Sequence, residues 1–405
     1  MNILIANNFY APDVVGGAEL SVQGIAEGLA SRGHNVTLLT TAMRDEDTAL
    51  NGVAICRRRF HALMPYIEHV HARVSPKKII NKVLTIDNPR NAQTIAKVIE
   101  THGIDVVLSN NLLGITVELW RTAHRLGIPT MHTLRDCALL CPNSTLMCDS
   151  RPLCGENPKV ACGIMREWLK KASKNVSTVS APSRYTLETH RREGFFPHAT
   201  ACVIRNAVAF DDEAVKQAVA QRRASAQAMD DRPLRIVYLG RLVEEKGIRV
   251  LMDALEMCKP HSIEAHFAGA GPLEGELKRL QDEGKQVYLH GFLSQDEVHE
   301  LLMSCDVLVA PSVCPEAFGR IVLDAYIHAM PAIVSNAGGL PEVLLPGTGM
   351  VVDSGSAVQL QRALQSYSDD WDKVLEQGIA AAQSVREFTV ERQVLSFEEE
   401  LTLLL

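Results

Sequence analysis

The chain has 405 residues, room for roughly two or three domains, and 46% hydrophobic against 22% charged residues describes a folded globular protein. No apolar run reaches the roughly 18 to 20 residues needed to cross a bilayer, and the apolar opening Met1 to Ala6 lacks a basic lead and a cleavage site, which argues against a signal peptide. The net charge of −7 is uneven: up to Arg205 there are 24 Lys/Arg against 17 Asp/Glu, and beyond it 17 against 31.

A basic first half suits an anionic partner such as a membrane surface or a phosphorylated lipid carrier, and equally describes an unevenly charged solvated surface. Nucleic acid is not among the expected partners. The expected location is the cytoplasm, with peripheral attachment to the inner face of the membrane as a further expectation, and the ten cysteines are then reduced.

Asn2 to Ala6 is predicted as a buried strand. Gly16-Gly17 closes the following loop, and Leu20, Val22, Ile25, Ala26 and Leu29 have helical spacing up to Gly33. Val36 to Thr40 is the next strand, so the opening reads as a Rossmann-like β-loop-α-β unit. The glycine pair would let a phosphate or sugar approach the backbone at the helix start; turn geometry explains it as well. Val53 to Phe60 is a strand. Pro65 to Ile86 carries Lys77, Lys78 and Lys82 and reads as a solvated basic helix or as an amphipathic element against membrane or acceptor. Helices are predicted over Asn91 to Thr101 and Leu112 to Leu126, with strands over Asp105 to Ser109 and Pro129 to Thr133.

Cys137, Cys141, Cys148, Cys154 and Cys162 then crowd one loop-like segment. The spacing is not a pair of C-x-x-C knuckles, so a structural zinc is one reading and unbridged thiols the other. Met165 to Ser173 is a short basic helix, Val176 to Ala181 a strand, and Ser183 opens a helix that Gly194 ends. Asp211 to Asp231 is predicted as a linker helix.

A second Rossmann-like run begins with the strand Leu234 to Leu239, the segment Gly240 to Gly247 and a helix through Val250, Leu251 and Leu255. Arg241 and Lys246 follow a strand and precede a helix, where a planar fork and a compact charge could hold a diphosphate; otherwise they are solvated cations. Ala265 to Ala268 and Val287 to His290 are strands, the first followed by Gly269-Ala270-Gly271 without the rest of a dinucleotide fingerprint. After the helix Ser294 to Met303 comes the buried strand Asp306 to Ala310, a proline-rich loop, Glu316-Ala317-Phe318-Gly319, and a helix through Ile321, Leu323, Ala325 and Tyr326. A carboxylate, a glycine and a helix start thus meet at the C-terminal end of a strand, where parallel sheets bind ligands. Ala332 to Val334 is a strand; Asp353 to Gln365, Asp370 to Val385 and Phe388 to Leu405 are helices.

Glu316, Phe318-Gly319 and Asp324 resemble the donor-site signature of retaining glycosyltransferases of family four, which have the GT-B fold. Asp324 stands where that family usually has Glu. Gly240-Arg241-Leu242 with Lys246-Gly247 also resembles the family, as does the turn Gly338-Gly339-Leu340-Pro341-Glu342. Val203 to Val208 resembles the strand that leads into the hinge of these two-domain glycosyltransferases. Thr133-Leu134-Arg135-Asp136 resembles a loop in which the family has a histidine at the third place; here that place is Arg135, and His132 lies three residues earlier.

The resemblance implies an α/β protein with two Rossmann-like domains facing each other across a cleft. Residues 1–207 would form an acceptor domain and 208–385 a donor domain, with the last helix, 386–405, crossing back to the first. It implies a retaining transfer of a sugar from a UDP-, GDP- or ADP-sugar to a glycan or lipid-linked saccharide in cell-surface polysaccharide or glycoconjugate synthesis, with no required cofactor. Arg241, Lys246 and Glu316 would be catalytic. Gly16, Gly17, Gly291, Phe292, Ala317, Phe318, Gly319 and Asp324 would bind the donor, Gly291 and Phe292 against the base. His132, Arg135 and Asp136 would touch sugar or acceptor. The alternatives are a degenerate GT-B protein serving as a binding subunit and a GT-B nucleotide-sugar epimerase.

Overall fold

The computed structural model describes residues 1–13, 17–62, 81, 84–141, 144–147, 160–226 and 232–405. Gly16, Lys77, Lys78, Lys82, Cys148 and Cys154 lie outside them. The chain divides into two compact units, one of Met1–Ser144, Asn157–Ala207 and Val390–Leu405, the other of Thr145–Glu156 and Val208–Thr389. Each unit is a Rossmann-like α/β domain.

In the first unit, β1 (Asn2–Ala6) is central because both its faces are apolar: Ile3, Leu4, Ile5 and Ala6 have no exposed surface. Beside it lie β2 (Asn35–Thr41), β3 (Glu46–Leu50), β4 (Val53–Arg58), β5 (Val106–Ser109), β6 (Thr130–Thr133), β7 (Thr178–Ala181) and β8 (Thr200–Val203), in the order β3-β4-β2-β1-β5-β6-β7-β8. All pairings are parallel except β3 with β4. β3 is an exposed edge strand with no buried face, which is why no apolar alternation marks it in the sequence.

The helix Gly17–Ser31 covers this sheet with Val22, Ile25, Ala26 and Leu29; Leu20, which shares their spacing, is instead 40% exposed. The last helix, Val390–Thr402, packs on it: Val394, Phe397 and Leu401 join the first unit's core. A side chain at Gly28 would stand 2.4 Å from Val394 Cγ2, so the helices meet closely there. The expected helix from Leu112 starts only at Glu118, because Gly114 (φ 93°) and Thr116 (φ 81°) are left-handed and interrupt the turn. The expected strand Val203 to Val208 is likewise shorter. β8 ends at Val203, and the Val208 N–H donates to Phe388 O at 2.9 Å instead of to a sheet neighbour.

The second unit holds β9 (Leu234–Leu239), β10 (Ile263–Ala268), β11 (Val287–Gly291), β12 (Val307–Ala310), β13 (Ala332–Ser335) and β14 (Gly349–Val352). Their order β11-β10-β9-β12-β13-β14 is that of a dinucleotide-binding sheet, all parallel. The chain reverses its direction of travel across the sheet between β9 and β12, so the loops leaving those two strands flank an opening at their carboxyl ends. Asp212–Ala226 is more than a linker. Val215 and Ala218 are buried in this unit's core, and the Arg222 guanidinium donates to Leu302 O (2.8 Å), His328 O (3.2 Å) and Cys305 O.

Candidate active site

The loops after β9 and β12 are joined by backbone. Glu245 O accepts from Val313 N (3.0 Å) and Cys314 N (3.1 Å). Between them lies a cavity of about 190 Å³ lined by Gly240, Lys246, Ser312, Glu316, Gly319 and Arg320, with Tyr238 and Leu340 among its walls. Lys246 reaches it from the short 3-10 turn Glu244–Lys246 and donates to Glu316 Oε1 at 2.5 Å. Ser312 Oγ donates to the same oxygen at 2.7 Å. The two charged side chains are 27% and 21% exposed, so the pair is partly dehydrated yet open to a ligand.

Glu316 is fixed through its backbone. It bridges to Gly338, accepts from Gly339 N at 2.7 Å and donates to Ala337 O at 3.3 Å. Gly338 has φ 68°, and a Cβ there would lie 2.4 Å from Glu316 O, so this glycine is required by both its conformation and its contact. Phe318 is buried and meets Phe388 edge-on at 6.1 Å, which anchors the loop from beneath. Among the described residues the N–H groups of Phe318 and Gly319 have no acceptor. The Lys246 ammonium and the Gly319 backbone thus border the cavity, with the Phe318 amide next along the chain, and such donors suit an anion.

Other expected donor residues lie further out. Arg241 does not line this cavity; its guanidinium is 62% exposed and meets Glu245 at 3.4 Å. Asp324 sits in the first turn of the helix Ile321–Ile327 and is not part of the cavity wall. Burial pushes its carboxyl up to about 6, with Arg320 opposing the shift. Gly291 ends β11, and the Phe292 ring after it is 85% exposed, an apolar plate with no protein cover. Gly17 opens the first helix of the other unit. The sequence marks Ser312 only as a hydroxyl in the proline-rich loop, four residues before Glu316, with no role attached to it.

In the first unit His132, Arg135 and Asp136 do come together, at the carboxyl ends of β5 and β6, around a cavity of about 40 Å³. His132 is buried, takes Ser109 Oγ at 2.9 Å on Nδ1, and packs edge-on to Trp120 at 4.8 Å. Burial pushes its pKa down to about 3, so the ring is neutral. Arg135 donates to Asn110 Oδ1 (3.0 Å), Ser21 Oγ (3.1 Å) and Asn206 Oδ1 (2.8 Å). Burial lowers its pKa to about 10, which Glu19 partly offsets through space. The Asp136 carboxylate accepts from Ala138 N at 2.7 Å, and burial raises its pKa.

Cys137 and Cys141 are buried one turn apart, the N–H of Cys141 donating to Cys137 O at 2.8 Å, and Cys162 is half-buried. Among the described residues no three Cys, His, Asp or Glu side chains are grouped as metal ligands. No described helix is long and apolar enough to cross a membrane.

Residues 15–212 match the family model described as Glycosyltransferase Family 4, and residues 221–384 match Glycosyl transferases group 1. An uncharacterized 42.6 kDa protein in the cps region of Klebsiella pneumoniae is 28% identical, the match covering 87% of this chain and 90% of that protein. An uncharacterized glycosyltransferase of Methanocaldococcus jannaschii is also 28% identical, over 85% of this chain and 83% of that one. Anabaena Alr3699/HepE, solved in complex with UDP, superposes with a TM-score of 0.68 at 20% identity over 99% and 100% of the two chains, a likeness of fold. On these matches the chain is a glycosyltransferase of GT-B fold, a family 4 region followed by a group 1 region.

Proposed function

We propose that this protein is a retaining glycosyltransferase that moves a sugar from a nucleotide-sugar donor to a glycan or lipid-linked saccharide in the synthesis of a cell-surface polysaccharide. The observation that carries the reading is the Lys246–Glu316 pair in the cavity between the loops after β9 and β12. Breaking the bond from the anomeric carbon to the diphosphate builds negative charge on the leaving oxygen. Fixed donors at that point stabilise it more than the ground state, which is how such sites accelerate transfer. Lys246 supplies the charge, and the amides of Phe318 and Gly319 supply neutral donors. Glu316, already held by Lys246 and Ser312, accepts hydroxyls of the donor sugar. Arg241, exposed and weakly tethered, swings to the diphosphate when the donor enters. Asp324 receives the ribose and Phe292 stacks on the base. The acceptor binds the first unit, and the basic first half attaches the protein to an anionic membrane surface.

A cps-region relative supports the polysaccharide setting, and HepE with UDP makes a UDP-sugar the first donor to try. The experiment is nucleotide release from a panel of UDP-, GDP- and ADP-sugars, with and without a mixed glycan acceptor. Turnover of one donor that rises with acceptor and disappears in Lys246→Ala supports the reading. No release from any donor, or equal release by the variant, refutes it.

A further inference from the structure

The helix Val160–Ser173, which joins β6 to β7, starts earlier than the expected Met165. Its inner face is closed. Leu169, Ala172 and Ser173 are buried, and the Arg166 guanidinium donates to Leu140 O at 2.7 Å and pairs with Glu193 at 3.2 Å. Its outer face is apolar as well. Val160, Ile164 and Trp168 recur every fourth residue, which stacks them along one side. They are 81%, 63% and 53% exposed. A helix apolar on two sides is normally covered on both, and among the described residues nothing covers this stripe.

The stripe runs into positive charge. Lys170 and Lys171 occupy the last turn of the helix, and Lys174 follows it. Arg191 and Arg192 end the helix Arg184–Arg192, and the residues just after them meet the first helix. Glu193 pairs with Arg166, and a Cβ at Gly194 would stand 3.8 Å from Lys170 Cδ. Residues 160–198 hold seven Lys/Arg against three Asp/Glu. Two of those acids are already engaged, Glu167 by Lys170 at 2.6 Å and Glu193 by Arg166.

We propose that the outer face of this helix is where the chain seats on an anionic lipid surface, Val160, Ile164 and Trp168 entering the boundary between headgroups and acyl chains and Lys171 and Lys174 facing lipid phosphates. This rests on the reading of the basic first half as attached to a membrane. Charge favours lipid over a protein partner. Lysine is depleted at protein interfaces, where its strongly hydrated charge and flexible stem are costly to fix. A helix lying in a lipid interface instead carries lysine beside its apolar face. Trp168 stands between the apolar start of the stripe and the basic end of the helix, the level at which an indole meets headgroups. Three apolar side chains alone bind a bilayer weakly, so charge supplies the rest, and attachment requires anionic lipid and weakens with salt. From its inner face the same helix puts Leu169 into the wall of the cavity of His132 and Arg135, so the seat adjoins the expected acceptor site.

The test is co-sedimentation of the full chain with vesicles of phosphatidylcholine, alone or with about a third phosphatidylglycerol, at low and high salt. Tryptophan emission is read on the same samples against Trp168→Phe. Binding about tenfold tighter to the anionic vesicles is expected, falling with salt. Ile164→Ser and Lys171→Glu are each expected to weaken it about tenfold, and emission to shift to the blue in the parent but not in Trp168→Phe. Trp168→Ser replaces Ile164→Ser, and Lys174→Glu replaces Lys171→Glu, where the first choice fails to fold. Undiminished binding of either variant to vesicles that hold the parent places the attachment elsewhere and overturns this inference alone. Equal binding to both vesicles, or a shift that survives in Trp168→Phe, overturns it too. A parent that binds neither vesicle overturns it together with the membrane reading. Nucleotide release measured without vesicles, expected to be unchanged in these variants, reports separately on the glycosyltransferase reading.

Discussion

Replacing Lys246 by methionine separates what the cavity does for folding from what it does for catalysis. The substitution keeps most of the aliphatic stem and deletes the ammonium 2.5 Å from Glu316 Oε1. With the partners 27% and 21% exposed, the pair is open to solvent and contributes about 0–1 kcal/mol to stability. Ser312 Oγ remains on the carboxylate at 2.7 Å, so Glu316 is not stranded. For a domain of this size such a loss lowers Tm by at most about 2–4 °C. Loss of a charged donor from a developing diphosphate instead removes about 3–4 kcal/mol of transition-state stabilisation, roughly 100- to 1000-fold in rate. The assay is nucleotide release at saturating donor, with Tm measured on the same preparation. A large fall in kcat with near-native Tm is expected. A variant within threefold of the parent in kcat/KM refutes the assignment, and one that melts far earlier shows that the pair is structural.

Gly338→Ala should do the opposite: a left-handed φ of 68° and a Cβ 2.4 Å from Glu316 O make it lose about 2 kcal/mol or more, read as a falling Tm, with activity lost alongside. Asp324 has its pKa raised from 3.8 to about 6 by burial, so its contribution to stability is fully present below about pH 4 and is lost as pH rises through 6. Asp324→Asn should therefore stabilise at pH 8, by up to about 3 kcal/mol, and not at pH 4; equal urea midpoints for the two proteins at both values would count against a dehydrated carboxyl. Phe292→Ala, at a ring 85% exposed, should leave the melting temperature unchanged and raise donor KM by about tenfold through lost base stacking; an unchanged KM removes Phe292 from the site.

The central strands and the loops after β9 and β12 were legible because local chemistry marks them. Runs such as Val307-Leu308-Val309-Ala310 are apolar on both faces, as a buried parallel strand must be. Lys246 and Glu316 stood out beside glycines and strand ends, yet their contact spans 70 positions and only the β9–β12 register makes it. Arg135 shows the limit. Its partners Ser21, Asn110 and Asn206 come from the first helix, the segment after β5 and the segment after β8, so nothing near it in the chain announces the buried polar cluster it joins. β3 escaped notice for the converse reason, having no buried face to pattern. The helix expected from Leu112 came out short because an apolar period does not register that Thr116 adopts a left-handed backbone.

The account turns on where a donor's diphosphate comes to rest. A crystal of the protein grown with its nucleotide sugar, or with the nucleoside diphosphate product, locates it directly. The expected position places phosphate oxygens within hydrogen-bond distance of Lys246 Nζ and of the Phe318 and Gly319 amides. A diphosphate bound elsewhere, with the Lys246–Glu316 contact undisturbed and no ligand in that cavity, contradicts the account.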